Sequence, residues 1–180
     1  YKGILIFVSA MIKVLKEYTG NLSITIIGDG TLYKKAYSLC KKSGFLKNFV
    51  FLKSIPHSEV FDYYSASDIY ISANTDGNLI NTNLEAISSS SCMIIPCSQK
   101  KKLIDIKTNQ LLKDAVLYYK VNNIEDLSNK VMFLLKYPDK IIEFKKKLSE
   151  VKKNFIRTWK ERMDEENVIL KKIVDKNLKR

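Results

Sequence analysis

The chain has 180 residues, of which 46% are hydrophobic, and its formal net charge at pH 7 is +12. This length suits one domain or slightly more, and the apolar share is ordinary for a globular core. No window of 18 apolar residues is present and the first residues lack the pattern of a signal peptide, so we expect neither a transmembrane helix nor a secretory leader. The three cysteines lack metal-like spacing, which favours reduced thiols and a cytoplasmic location.

Three explanations of the positive charge remain open. It could serve binding to nucleic acid, attraction to an anionic membrane at the inner membrane face, or no function at all in a lysine-rich genome. Membrane attraction is physically reasonable because about 1 kcal/mol is available for each surface cation near anionic lipid. The aromatic residues fall at core-like spacing rather than along a basic stripe, which argues against nucleic acid.

Hydrophobic periodicity predicts strands and helices in alternation along the chain. Apolar residues recur every three to four positions over 3–18, which predicts a first helix that ends before Gly20. Short β-branched or apolar runs predict strands at 22–27, 48–52, 69–72, 92–96 and 116–119. Helices are predicted at about 32–42, 57–64, 82–89 and from 123 onward, with a break at Pro138 and a charged helical stretch over 144–180.

Repeated strand–helix units with short loops predict an α/β fold. The expected architecture is a doubly wound parallel sheet, Rossmann-like, with helices on both faces and a C-terminal helical extension. We expect a sheet domain over residues 1–155 and a separate C-terminal helix over 156–180. In such sheets ligands bind beyond the carboxyl ends of the strands.

Three loops follow predicted strand ends and would meet at that edge of the sheet. They are Gly28–Gly30, residues 53–55 and residues 76–82. Glycine at a strand end permits a tight turn and close approach of a ligand, although an ordinary strand-to-helix turn explains the first loop equally well. The third loop leads into a helix, whose first free N–H groups attract anions.

Glu85 has two interpretations. One turn into the predicted helix, its carboxylate could accept hydrogen bonds from ligand hydroxyls such as those of a ribose. Alternatively, Thr82 and Glu85 form a capping box, in which Thr82 is the N-cap and Glu85 reaches back to it.

Residues 78–86, with the sequence NLINTNLEA, resemble the signature of group 1 (family 4) glycosyltransferases. These are nucleotide-sugar enzymes with the two-domain GT-B fold. The usual signature is Glu, seven residues, then Glu-Ala, and a recurring variant reads Asn-x-x-Asn-x-x-x-Glu-Ala, as here. Its second Glu falls on Glu85, whereas Gly77 stands where the first would be. Lys2–Gly3 matches the Lys-Gly pair that opens the first helix of the family's donor domain.

The resemblance implies a role for each matching position. Lys2 would be the catalytic cation on the donor diphosphate, together with the backbone of Ile80, Asn81 and Thr82. Glu85 would hold the ribose. The remaining implied donor contacts are Gly77, Asn78 and Leu79 beside the transferred sugar, and Gly28, Gly30, Ser54 and Ile55 beside the nucleotide. Lys53 stands where the family commonly has Gly, so recognition of the base stays open.

The implied protein is the donor-binding half of a retaining hexosyltransferase that moves sugar from a nucleotide-sugar to a glycan or lipid acceptor, as in polysaccharide biosynthesis. A UDP- or GDP-sugar would be the substrate, with no metal or other cofactor. The first strand and the N-terminal acceptor domain would precede residue 1, so we expect this fragment to transfer little sugar alone. Two alternatives remain: a degenerate nucleotide- or partner-binding domain without catalysis, and a basic nucleic-acid-binding module.

The only histidine, His57, and the lysines at 100–102 are predicted to be surface residues. A histidine at a helix entry without a partner is poorly placed to act as a base. A short run of lysines is typical of a solvated surface.

Overall fold

In the computed structural model, residues 3–74, 79–97, 106–155 and 158–178 are described. The strands are β1 (Ile24–Ile27), β2 (Phe49–Leu52), β3 (Ile69–Ile71), β4 (Cys92–Pro96) and β5 (Leu117–Tyr119). The α-helices are α1 (Ile4–Glu17), α2 (Tyr33–Ser43), α3 (Val60–Ala66), α4 (Asn81–Ser88), α5 (Ile106–Leu112), α6 (Ile124–Lys136), α7 (Pro138–Phe155) and α8 (Trp159–Leu178). Single 3₁₀ turns lie at Leu46–Asn48 and His57–Glu59. The α/β alternation predicted from the sequence is confirmed.

All strand pairs are parallel, but they form two separate ladders among these residues. β1 pairs with β2, and β4 lies between β3 and β5. Tyr119 links the ladder's two outer strands through its hydroxyl, which donates to the Ser72 carbonyl just after β3 across 3.1 Å. The two ladders are joined into one body by a core cluster to which strands of both contribute.

β4 shows that helices cover both faces of its ladder. All five of its residues are buried, as expected for a central parallel strand. Cys92 and Ile94 belong to a core cluster shared with α1, α6, β1 and β2, while Met93 and Ile95 belong to a second cluster shared with α4, α5 and α7. Because alternate residues of a strand point to opposite faces, the two clusters lie on the two sides of the ladder, as in a doubly wound fold.

One described helix was not predicted from the sequence. The helix α5 occupies part of the stretch after 100–102, where only a polar connection was predicted. The predicted break at Pro138 is confirmed: α6 ends at Lys136 and Pro138 begins α7, consistent with proline's preference for a first helical position. The apolar residues of α8 are largely solvent-exposed, with Trp159 74% and Leu170 59% exposed.

Within the ranges given above, no helix combines the length and the apolar character needed to cross a bilayer. The three cysteines are free thiols, as predicted: Cys40 and Cys92 are buried and Cys97 is half-buried. Burial raises the pKa of Cys40 to about 11 and that of Cys92 to about 12, so both thiols are protonated at neutral pH.

Candidate donor site

Helix α4 begins with backbone N–H groups that lack acceptors among the described residues. Its N-cap, Ile80, has an extended backbone and supplies no side-chain cap. The N–H groups of Asn83 and Leu84 donate to the Ile80 carbonyl at 2.8 and 3.2 Å. The N–H groups of Asn81 and Thr82 meet no acceptor in the described part of the chain. Two donors at a helix start, where the helix dipole is positive, can bind an anion such as a phosphate.

The capping-box interpretation of Glu85 is wrong. Thr82 is the second helical residue rather than the N-cap, and no side chain caps α4. The half-buried carboxylate of Glu85 instead accepts a hydrogen bond from the Tyr64 hydroxyl, with 3.1 Å between Oη and Oε2. A carboxylate offers about four acceptor positions, so this one bond leaves capacity for ligand hydroxyls.

Two tyrosines hold the first turn of α4 in place of a side-chain cap. The Tyr64 hydroxyl also lies 3.1 Å from the Thr82 carbonyl oxygen. The Tyr70 hydroxyl lies 3.1 Å from Thr82 Oγ1 and 2.9 Å from Asn83 Oδ1. The two rings meet edge to face at 5.5 Å, and both pack on the core cluster that contains Met93. We call Tyr64 and Tyr70 the tyrosine pair.

The tyrosine pair stays protonated at neutral pH. Burial raises the pKa of Tyr64 well above its ordinary value, and Tyr70 and Glu85 raise it further. Burial also raises the pKa of Tyr70. Both hydroxyls are therefore available as hydrogen-bond donors.

Gly28 and Gly30 lie at the paired ends of β1 and β2. The Gly28 N–H donates to the Leu52 carbonyl at 2.8 Å, and the Gly30 carbonyl accepts from the Tyr33 N–H at 2.9 Å as α2 begins. Gly28 has a φ of +139°, which side-chain-bearing residues rarely adopt, so its turn requires glycine. Apart from the chain neighbours, no atom of the described residues would lie within 4 Å of a side-chain Cβ at either glycine. The loop surface here is open.

The second loop adds Ser54 and Ile55 to this end of β2. Ser54 is exposed and Ile55 is half-buried. Lys53, beside them, is also exposed. The first two predicted loops therefore do come together.

The end of β3 meets the start of α1. The Gly3 N–H donates to the Ala73 carbonyl. Beside it, the buried Asn74 donates through its side-chain amide to Ser72 Oγ at 3.2 Å. The backbone that enters the third predicted loop therefore lies next to Gly3, the N-cap of α1.

The remaining predicted residues fall into two groups. Leu79, Ile80 and Thr82 are half-buried and Asn81 is exposed. Lys2, Gly77, Asn78 and the lysines 100–102 lie outside the described residues. His57 is exposed, as predicted. The tyrosine pair was missed by sequence reasoning, since its partners lie 12 to 21 residues along the chain.

A family model described as "Glycosyl transferases group 1" matches residues 1–155. No curated protein sequence matches the chain significantly. Among solved structures, the C-terminal domain of a group 1 glycosyl transferase family protein (LpcC) from Francisella tularensis has a TM-score of 0.73 at 20% identity, over 86% of this chain and 79% of that one.

Two further similar structures belong to longer proteins. Sucrose-phosphate synthase from Thermosynechococcus elongatus has a TM-score of 0.77 at 16% identity, over 97% of this chain and 43% of that one. The pneumococcal O-GlcNAc transferase GtfA, solved with UDP and GlcNAc, has a TM-score of 0.71 at 17% identity, over 96% of this chain and 33% of that one. The chain thus spans less than half of either. At these identities the structures establish the fold, which is that of a Rossmann-like GT-B domain.

The match over residues 1–155 identifies the family: the chain belongs to the group 1 glycosyl transferases and is a glycosyltransferase domain of the GT-B fold.

Proposed function

We propose that this domain is the donor-binding half of a retaining glycosyltransferase that uses a nucleotide-sugar. The proposal rests on the start of α4, where the backbone N–H groups of Asn81 and Thr82 meet no acceptor among the described residues and Glu85 follows one helical turn later. The amides suit a diphosphate and the carboxylate suits the hydroxyls of a ribose. A nucleoside diphosphate offers both groups in one molecule.

In this proposal the amides of Asn81 and Thr82 bind the diphosphate, together with Lys2. These fixed donors stabilise the negative charge that grows on the diphosphate as the bond to the sugar breaks. Gly28, Gly30, Ser54 and Ile55 border the nucleotide, and Gly77, Asn78 and Leu79 border the transferred sugar. No step in the scheme requires a metal or another cofactor.

The donor is a UDP- or GDP-sugar. UDP is supported by the complex of the similar pneumococcal enzyme, which was solved with UDP and GlcNAc.

The acceptor, a glycan or a lipid, binds to a second domain. That domain and a further strand of the sheet precede residue 1. Residues 1–155 form the donor domain and 156–180 a separate helix. The net charge of +12 supports peripheral contact of the protein with the cytoplasmic face of an anionic membrane.

A titration of UDP and GDP by calorimetry tests the proposal. Glu85→Gln keeps the size of the side chain and removes its charge, and we expect it to weaken binding of the preferred diphosphate about tenfold, since hydrogen bonds to charged groups contribute about 1.5–3 kcal/mol. Glu150→Gln, on the exposed surface of α7, is the matched control and should bind as the wild type does.

Loss of the ribose hydroxyls should remove the effect of Glu85→Gln. With the 2′,3′-dideoxy analogue of the same diphosphate, wild type and Glu85→Gln should bind equally weakly. Equal affinity of both proteins for the complete diphosphate would overturn the role of Glu85. Binding of the diphosphate by the full-length protein without any sugar transfer would favour the alternative of a degenerate domain. Gly77, which stands where the family has its first Glu, suggests that alternative.

A further inference from the structure

The hydroxyl of Tyr64 lies between two acceptors that belong to the same turn of α4. Its Oη is 3.1 Å from Glu85 Oε2 and 3.1 Å from the Thr82 carbonyl oxygen. A hydroxyl carries a single hydrogen, and a carboxylate is the stronger acceptor because it is charged. The Tyr64 hydroxyl therefore donates its hydrogen mainly to Glu85, and the Thr82 carbonyl is the alternative acceptor.

The Tyr64 ring is itself held in place. Its neighbour Tyr70 comes from the short strand β3 and meets the Tyr64 ring edge to face. The Tyr70 hydroxyl is fixed by Thr82 Oγ1 and Asn83 Oδ1, and Asn83 is 1% exposed. A rigid element of the sheet thus sets the position of Tyr64, which in turn meets the side chain of Glu85.

Helix α4 cannot orient Glu85 through a capping box, because its N-cap is Ile80 and no side chain caps it. In the described residues, the only hydrogen bond to the Glu85 carboxylate comes from Tyr64. A long carboxylate side chain without such a contact would lose rotamer freedom on binding a ligand, which weakens binding.

We infer that Tyr64 is a positioning residue of the donor site, which fixes the Glu85 carboxylate so that its remaining acceptor positions receive the ribose hydroxyls. The inference rests on the proposed function, in which Glu85 binds the ribose. Tyr64 itself touches no part of the donor. Tyr64 contributes by holding the Glu85 carboxylate in the orientation that accepts hydrogen bonds from the ribose.

The variant Tyr64→Phe tests this role because it keeps the ring against Tyr70 and removes only the hydroxyl. We expect it to weaken binding of the preferred diphosphate, UDP or GDP, about fivefold, as the loss of one preorganising hydrogen bond predicts. The matched control is Tyr63→Phe: Tyr63 precedes it on α3, and its hydroxyl makes no hydrogen bond within the described ranges. This control should bind as the wild type does.

A readout specific to positioning is the ratio of affinities for the complete diphosphate and its 2′,3′-dideoxy analogue. Tyr64→Phe should lower this ratio about fivefold, and it should have no further effect in a Glu85→Gln background. Partial unfolding of a variant changes the binding stoichiometry and leaves the ratio unchanged, so the test survives a loss of stability.

Failure of the inference and failure of the proposed function are separable. If Glu85→Gln weakens binding and Tyr64→Phe leaves both the affinity and the ratio unchanged, the positioning role is wrong and the donor site stands. If Glu85→Gln itself has no effect, the proposed ribose contact is wrong and the role of Tyr64 falls with it.

Discussion

The backbone N–H of Gly28 donates to the carbonyl of Leu52 across 2.8 Å and so extends the pairing of β1 with β2 by one residue. Gly28 reaches this position with a φ of +139°. The bond fixes the two loops at the ends of these strands relative to each other. The conformation of one glycine therefore determines the shape of one part of the candidate site.

We predict that Gly28→Ala lowers the free energy of unfolding by about 1–3 kcal/mol, because alanine is strained at this φ. Gly30→Ala is the matched control, since Gly30 has no positive φ and its Cβ would meet open space. We expect Gly30→Ala to change stability by less than about 0.5 kcal/mol. Urea unfolding of both variants measures the difference, and equal losses would contradict the strain at Gly28.

A second prediction compares a true helix cap with Glu85. The Asn123 side chain caps α6 by accepting from the Asp126 N–H at 2.8 Å, so Asn123→Ala should cost about 1 kcal/mol. Glu85→Ala should cost less, because the Tyr64 hydroxyl keeps the Thr82 carbonyl as an acceptor. Thermal or urea unfolding measures the loss of stability in both variants. A loss at Glu85→Ala as large as that at Asn123→Ala would restore a mainly structural role for Glu85.

The pH dependence of stability should reflect the buried thiols. The pKa of Cys40 is raised from 9.0 to about 11, and that of Cys92 from 9.0 to about 12. In the unfolded chain these thiols ionise near pH 9, whereas in the folded chain they do so only at higher pH. Their contribution to stability is therefore fully present below pH 9 and is lost as the pH rises from 9 through about 11 for Cys40 and about 12 for Cys92.

Urea unfolding at pH 8 and at pH 10.5 measures this loss, and we expect the lower free energy of unfolding at pH 10.5. Cys40→Ala removes one of the two thiols and should reduce the difference between the two pH values. An unchanged difference in this variant would show that Cys40 ionises equally easily in the folded and unfolded chains.

Hydrogen exchange should distinguish α8 from the core helices. Val168, Leu170 and Ile173 are each more than half exposed, whereas Leu127 on α6 is fully buried. We therefore expect amides of α8 to exchange by local opening, with protection well below that of amides around Leu127. Mass spectrometry of exchanged peptides measures both, and equal protection would show that α8 is packed in solution.

Much of this fold could be predicted because short apolar runs and turn residues determine secondary structure locally. The run 92–96 is apolar throughout, and β4 indeed has these bounds and is buried on both faces. The turn at Gly28 was also predictable, since glycine after a β-branched run favours a tight turn. The α/β class follows from the alternation of such elements along the chain.

The details of the site were not predictable in the same way. Thr82 and Glu85 have the spacing of a capping box, but Tyr64 and Tyr70 compete for the same groups from distant elements. The apolar residues of α8 have helical spacing. This spacing predicts an amphipathic helix, but it does not predict which part of a protein packs against its apolar face. Pairing between strands likewise depends on contacts that no short window contains.

Among the residues described, β1, β2, β3 and β5 each hydrogen-bond in a ladder with one other strand only. Each of these strands consequently keeps one side where its peptide groups face no neighbouring strand. Such margins readily accept extended polypeptide, whether from another molecule or from elsewhere in a longer protein. Solubility of the domain on its own therefore depends on how these strand edges are covered.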